Sequence, residues 1–340
     1  MTLLSIPIID IGPYRTGDAA AKRLVAAAVD RACRDIGFLV ISGHGIDPDL
    51  VEETRAAARN FFDLPLAEKM QVGQPARDVT RGYIPVGGEA VARSRGATAA
   101  AGDLNESFMI GPIDPVDPAY ATAPAAGRHF AANLWPERPV ALRPAMTRYY
   151  QAMNELAQTL MHLFALGLGL DEHFFDDKID RHISRLRLRN YPAPTASPLP
   201  GQLRAGAHSD YGSLTILATE DKPGGLQACN SAGDWVDVPS LPGCFVVNLG
   251  DLMARWTNDA WVSTLHRVVN PPDAVAAQSR RASLVFFHNP NYDAPVACIP
   301  TCLAAGDAPR YAPTTSGEHL RRLFLATQVA PPTEQRTAGD

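Results

Sequence analysis

The chain has 340 residues and a formal net charge of -5 at neutral pH, a length that allows one large domain or two ordinary ones. With 46% apolar and 20% charged residues it can bury a sizeable core, which excludes a chain disordered by composition. The acidic balance excludes a general nucleic-acid binder, and the absence of any run of about 18 apolar residues excludes a membrane-spanning helix.

The start, MTLLSIPIIDIG, lacks a basic n-region and meets Asp10 quickly, so it does not read as a signal peptide. Ile6 to Ile11 is a short β-like run closed by Gly12-Pro13. Leu24, Val25, Ala28, Val29 and Ala32 recur at helical spacing and predict a helix over 18–35, stopped by Gly37. Phe38 to Ile41 reads as a strand, and a second helix is expected over 48–62. Residues 90–128 read as loops around one strand, Asn105 to Ile110. The longest helical stretch is 142–168, with Met153, Leu156, Leu160, Leu163 and Phe164 on one face and Gly167 and Gly169 at its end.

From Ile183 the period changes. Short strand-like runs at 183–191, 213–219, 225–228, 234–238, 244–248, 262–269 and 282–288 alternate with Gly, Pro, Asn and Asp turns. That pattern predicts a sandwich, jelly roll or barrel. A last helix is expected over 316–328, with Leu320, Leu323 and Phe324 on one side. The plan is mixed α+β, a helical N-terminal half wrapped on a β C-terminal half. Five cysteines, Cys33, Cys229, Cys244, Cys298 and Cys302, are odd in number and irregular in spacing, which fits reduced thiols in a cytoplasm better than a disulfide framework.

Of nine histidines, only His208 has an acid two places on, in His208-Ser209-Asp210. At a strand edge, positions i and i+2 point to the same side, so both side chains reach one metal. Imidazole plus carboxylate, completed by a distant imidazole, is the facial triad of non-haem Fe(II) oxygenases. His266, in a strand pattern 56 residues after Asp210, is the best third ligand. Arg281 and Ser283 share one side of the run that continues Leu284-Val285-Phe286-Phe287. An inward arginine is costly unless an anion pairs with it, and a guanidinium matches a carboxylate in two-point contact. Arg185, Arg187, Arg189 and Tyr191 share one face of the preceding strand, with Leu186 and Leu188 on the other.

His208-x-Asp210, His266 and Arg281-x-Ser283, in that order, resemble the Fe(II)/2-oxoglutarate-dependent dioxygenases of the isopenicillin N synthase-like family. The words HSDYGSLTILATEDKPGGLQ, VVNLGDLMARWTN, STLHRVVNP and RRASLVFFHNPN carry the resemblance, as do IPIIDIG, CRDIGFLVISGHGI, RGYIPVGGE and DLNESFMIG earlier in the chain. The resemblance implies a double-stranded β-helix (jelly roll) core with N-terminal helices and a C-terminal helix. It implies one compact unit in four parts: 1–125, a long-helix segment 126–182, the catalytic core 183–300, and the C-terminal helix and tail 301–340.

It also implies that His208, Asp210 and His266 hold Fe(II), and that Arg281 and Ser283 hold the far carboxylate of 2-oxoglutarate beside Tyr191. Dioxygen would be the third reactant, with succinate and CO2 released as a small molecule is hydroxylated or otherwise oxidised. Arg187 is expected to support the iron–cosubstrate end and Arg189 to contact an anionic substrate group or a structural carboxylate. Glu89 is similar to a glutamate of bacterial ethylene-forming relatives that meets a guanidino-bearing amino acid. Tyr83, Phe108, Tyr211 and Phe287 are further expected substrate contacts. Oxidation without 2-oxoglutarate, or ethylene formation, is the alternative on the same scaffold. No nucleic-acid or membrane partner is expected, and nothing in the sequence sets an oligomeric state.

Overall fold

The computed structural model describes residues 5–76, 78–96, 101–304 and 306–327. Its strands, in chain order, are β1 (Ile8–Asp10), β2 (Phe38–Ser42), β3 (Gly82–Ile84), β4 (Glu106–Ile110), β5 (Arg185–Tyr191), β6 (Ala205–His208), β7 (Leu214–Ala218), β8 (Leu226–Cys229), β9 (Trp235–Asp237), β10 (Phe245–Leu249), β11 (His266–Val268), β12 (Arg281–His288), β13 (Pro295–Val296) and β14 (Thr314–Thr315). Eight form one sheet in the order β1-β2-β10-β7-β12-β5-β4-β3, four form a second in the order β6-β11-β8-β9, and β13 pairs with β14.

The helices start where their caps dictate. Asp18 accepts hydrogen bonds from the Ala20 and Ala21 N–H groups at the head of Ala19–Asp35, and Asp47 accepts one from Asp49 at the head of Pro48–Phe62. The helix Leu142–Gly167 buries Met146, Tyr149, Tyr150, Met153, Leu156, Leu160 and Leu163. The chain beyond it turns through Gly169, whose φ of 70° favours glycine. The expected helix at the C-terminus is Ser316–Thr327; residue 328 and the tail lie outside the described residues.

Strand alternation divides the large sheet into two faces. Leu186, Leu188, Leu284 and Phe286 pack with the helices, chiefly Leu142–Gly167, in the main core. On the other face, Phe38, Val40, Tyr191 and Val246 pack against Ala205, Leu226, Ala228 and Val268 of the four-stranded sheet. The result is a sheet-on-sheet sandwich with a helical layer behind the larger sheet, a jelly-roll core.

The expected plan needs two corrections. The N-terminal half does more than wrap the core, because β1 to β4 supply both flanks of the large sheet, joined through β2–β10 and β4–β5. Residues 1–125 and 183–300 therefore share one sheet. The strand-like run 262–269 forms only the three-residue β11, and the segment after it contains a short 3-10 helix, Asp273–Gln278.

Candidate metal centre and active site

β6 ends at His208 and β11 begins at His266, and the two are register partners on neighbouring antiparallel strands. The chain leaves β6 through Ser209-Asp210-Tyr211-Gly212. A Cβ on Gly212 would lie 2.6 Å from the His288 carbonyl oxygen, and one on Gly250 would lie 2.2 Å from the Gly212 oxygen. Only glycine permits this crossing. The Asp251 N–H then donates to the Asp210 carbonyl at 2.8 Å, so two loops lock together and fix Asp210.

Each ligand atom is left over after its neighbour has been used. His208 Nδ1 is 2.8 Å from the Gly206 oxygen and His266 Nδ1 is 3.0 Å from the Thr264 oxygen. Carbonyls only accept, so each Nδ1 carries the hydrogen and each Nε2 keeps its lone pair. Asp210 Oδ2 accepts from Thr215 Oγ1 at 2.5 Å and from Asn248 Nδ2 at 2.7 Å. Its Oδ1 is left 4.0 Å from His208 Nε2 and 3.8 Å from His266 Nε2. The three ligand atoms lie within 4.8 Å of one another, so they converge on one site that a single cation can occupy.

Electrostatics agree with that donor set. Burial, with His266 alongside, pushes His208 down to about 3, so its imidazole is neutral at physiological pH. Burial opposes ionisation of Asp210, but the two imidazoles and the hydrogen bonds from Thr215 and Asn248 outweigh it and hold the carboxyl below its usual range. Two imidazoles and one carboxylate, each oriented by a second hydrogen bond, fit a divalent non-haem iron.

Arg281 is buried. Its Nη1 donates to the Gly224 carbonyl at 2.9 Å, and its Nε has no hydrogen-bond partner within the protein. The guanidinium lies over the Tyr191 ring at 4.8 Å, and Ser283 Oγ on the same strand face is 3.2 Å from Thr219 Oγ1. An unsatisfied buried donor on a cation suits an incoming carboxylate. Arg280 points to the other side and pairs with Asp63 at 2.6 Å, so alternation selects Arg281.

A cavity of about 310 Å³ opens on His208 and Asp210 and is lined by Glu89, Arg187, Arg189, Tyr211 and Phe287. Arg187 pairs with Glu89 and donates to Ser107 Oγ at 2.7 Å. Burial raises Glu89, but Arg187 and Arg189 outweigh it and keep it ionised below the usual range. Burial alone would lower Arg189, but Tyr191, Glu89 and Asp103 hold its guanidinium charged.

Tyr83 and Phe108 are corrections. They are register partners whose side chains enter the core with the helices, while Gly82, Ile84 and Met109 take the cavity face. Tyr83 donates to Glu106 Oε2 at 2.5 Å, and Phe108 packs on Phe61 at 4.9 Å. A one-residue phase error flips a strand's side chains to the opposite face, and three-residue β3 gives no periodicity to set the phase. The cavity also holds Arg81 and Arg185, which the sequence reading did not select. Alternation with Arg187 and Arg189 was the signal available for Arg185.

Comparison with known proteins gives the class. Residues 6–138 match the family described as non-haem dioxygenase in morphine synthesis N-terminal, and residues 182–290 match the 2OG-Fe(II) oxygenase superfamily. The chain belongs to the 2OG-Fe(II) oxygenase superfamily and is a 2-oxoglutarate-dependent dioxygenase, an oxidoreductase. Among its relatives, the 2-oxoglutarate-Fe(II) type oxidoreductase hxnY of Emericella nidulans is 35% identical, over 94% of this chain and 89% of the relative. Homoarginine-6-hydroxylase 2-ODD-233 of Oryza sativa subsp. japonica is 31% identical, over 96% and 98%. The crystal structure of a full-length Neurospora crassa protein in complex with alpha-KG and thymine superposes with a TM-score of 0.83 at 34% identity, over 95% of this chain and 97% of that one. Among the described residues no helix is long and apolar enough to cross a membrane.

Proposed function

We propose that His208, Asp210 and His266 hold Fe(II), that Arg281, Ser283 and Tyr191 receive the far carboxylate of 2-oxoglutarate, and that a small molecule is oxidised in the adjoining cavity. Bound iron, with 2-oxoglutarate and O2, supplies the oxidising power, with release of succinate and CO2. The protein's part is geometric. Gly206, Thr264, Thr215 and Asn248 aim the ligand atoms; the sandwich core excludes water on one side; Arg187, braced by Glu89 and Ser107, steadies the cosubstrate end. Arg189, Glu89, Tyr211 and Phe287 are the proposed substrate contacts. The substrate class is an amino acid or secondary metabolite, and the free thiols favour a cytoplasmic setting.

The observation that carries this reading is the convergence of two imidazole Nε2 atoms and one carboxylate oxygen, each with its other polar atom already engaged. The test is anaerobic Fe(II) titration in the presence of 2-oxoglutarate. A visible charge-transfer band that a substrate shifts is the expected result. Iron binding without such a band would move oxidation independent of 2-oxoglutarate to the front, and the ratio of succinate to product would separate the two.

A further inference from the structure

We propose that His162, His173 and Asp176 form a second metal site, for a borderline divalent transition-metal ion such as Zn(II), which clips the end of the long helix Leu142–Gly167 to the turn that follows it. The site is independent of the iron centre. His162 belongs to the helical layer behind the large sheet, whereas His208 and His266 belong to the four-stranded sheet on its other side.

Among the described residues, two groups of side chains converge closely enough to share one ion, and both consist of two imidazoles and one carboxylate. The first is the iron triad. In the second, one ligand atom from each of His162, His173 and Asp176 lies within 4.8 Å of the others. Asp176 is the hub: its Oδ1 accepts from His162 Nε2 at 2.6 Å and its Oδ2 from His173 Nδ1 at 2.9 Å. The two rings stand edge to face with centroids 4.9 Å apart. A tetrahedral ion with bonds of about 2.1 Å holds its ligand atoms roughly 3.4 Å apart, so each nitrogen–oxygen pair opens by only about half an ångström to admit one. The side chains of His173 and Asp176 are 66% and 48% exposed, which gives the ion an entry path and lets water complete its shell.

The backbone that carries the three ligands is already fixed. His162 sits between Met161 and Leu163, both fully buried. Asp171 Oδ1 accepts the His173 N–H at 2.9 Å, and the Asp176 N–H donates to the His173 carbonyl at 3.0 Å. Phe175, between His173 and Asp176 in the chain, is fully buried against Trp256. Glu172 ties the same turn to the N-terminal helices, accepting from Lys22 Nζ at 2.8 Å and from Tyr14 Oη at 2.7 Å. An ion therefore orders little that is not ordered already, and preorganisation of this kind adds to affinity. Coordination replaces the two N–H···O hydrogen bonds. A neutral imidazole keeps its hydrogen by moving it to the other ring nitrogen, and an imidazolium releases one proton to water. Two imidazoles beside one carboxylate favour Zn(II), Cu(II) or Ni(II) over the oxygen-seeking Mg(II) and Ca(II), and all three stand above Fe(II) in affinity for such donors.

The test counts ions on the full-length chain after equilibration with buffered Zn(II). Wild type is expected to hold two per chain, and His208→Ala and His173→Ala one each. In the His208→Ala protein, where the new site alone remains, a further His173→Ala or Asp176→Asn change is expected to weaken Zn(II) at least about tenfold, since losing a ligand costs no less than losing the partner of one. The same change is expected to abolish the rise in urea midpoint that Zn(II) gives by binding the native state. One ion in wild type, lost in His173→Ala and kept in His208→Ala, would sink the iron triad and leave this site standing. The proposal is overturned if wild type holds no ion, if it holds one that only His208→Ala removes, or if a second ion is indifferent to His173→Ala and Asp176→Asn.

Discussion

Arg281 and Tyr191 are register partners on β12 and β5, and the guanidinium carbon lies 4.8 Å from the centre of the Tyr191 ring. The ring packs against the guanidinium, and burial lowers Arg281 from its ordinary range while Tyr191 and Glu220 oppose the drop. A planar guanidinium fork offers a carboxylate two parallel hydrogen bonds. Arg281→Lys keeps the charge and loses both the fork and its contact with the ring. The expected loss of 2-oxoglutarate affinity is about 1–3 kcal/mol, with metal affinity unchanged. Calorimetric titration of 2-oxoglutarate into the anaerobic metal-loaded variant measures it, and an unaltered affinity would remove Arg281 from the site.

Asn248 reaches Asp210 from β10, at a distance of 38 residues in sequence, and shares Oδ2 with Thr215. Neither touches the proposed metal position; both aim the carboxylate. Asn248→Leu should weaken metal binding about 10–100-fold while leaving the fold intact, as for other partners of ligating groups. Competition of Mn(II) or Fe(II) against a chelating dye reads this directly. A variant with wild-type metal affinity would mean that Thr215 alone orients Asp210.

Tyr83, Lys69 and Asn190 converge on the buried carboxylate of Glu106, with Lys69 Nζ at 2.7 Å from Oε2 and Asn190 Nδ2 at 2.8 Å from Oε1. Removing the cation leaves that carboxylate buried without its counter-charge. Lys69→Met should therefore cost about 3–5 kcal/mol of stability, and Tyr83→Phe about 1 kcal/mol. Because these groups lie on the helix-facing side of the sheet, the affinities for metal and 2-oxoglutarate should not move in either variant. Urea unfolding and the two titrations together decide the point; a Tyr83→Phe protein with normal stability but impaired substrate binding would restore Tyr83 to the cavity.

How far the sequence could be read depended on the length of each element. The helices Ala19–Asp35, Pro48–Phe62 and Leu142–Gly167 fall within a residue or two of their expected bounds, because each spans several turns and carries caps or a glycine stop. The face shared by Arg185, Arg187, Arg189 and Tyr191 was legible because β5 has seven residues and alternates without interruption. β3 and β6 were not legible, since the three residues of Gly-Tyr-Ile are too few to show a period and the four of Ala-Gly-Ala-His carry neither a period nor strand-forming side chains. At the site, the residue types named the ligands, and the carbonyls of Gly206 and Thr264 that fix their tautomers could come only from coordinates. The pairing of Glu89 with Arg187 also depends on two segments 98 residues apart, so each was read singly, Glu89 as a substrate contact and Arg187 as support for the iron–cosubstrate end.

Three buried histidines away from the cavity make stability depend on pH. Burial pushes His182 to about 4; burial with His182 nearby pushes His288 to about 3; burial with Arg255 and Arg322 pushes His319 to about 4. An unfolded histidine titrates near 6.5. Between these values the unfolded chain binds more protons than the native one, so stability falls as pH drops through about 6.5 and goes on falling to about 4. Each histidine contributes at most about 1.4 kcal/mol per pH unit in that window. His288 is fully buried against Ser213, whose hydroxyl lies 2.7 Å from Nδ1. Carboxylates held below their usual range act in the same direction, but at lower pH, so the interval from about 6.5 to 5 isolates the histidines. Urea midpoints of the metal-free protein should be flat above about pH 7.5 and decline below about 6.5. His288→Gln, although less stable at pH 7.5, should show a decline shallower by one histidine's share. Equal slopes in variant and wild type would show that His288 is protonated in the native state or does not titrate differently on unfolding.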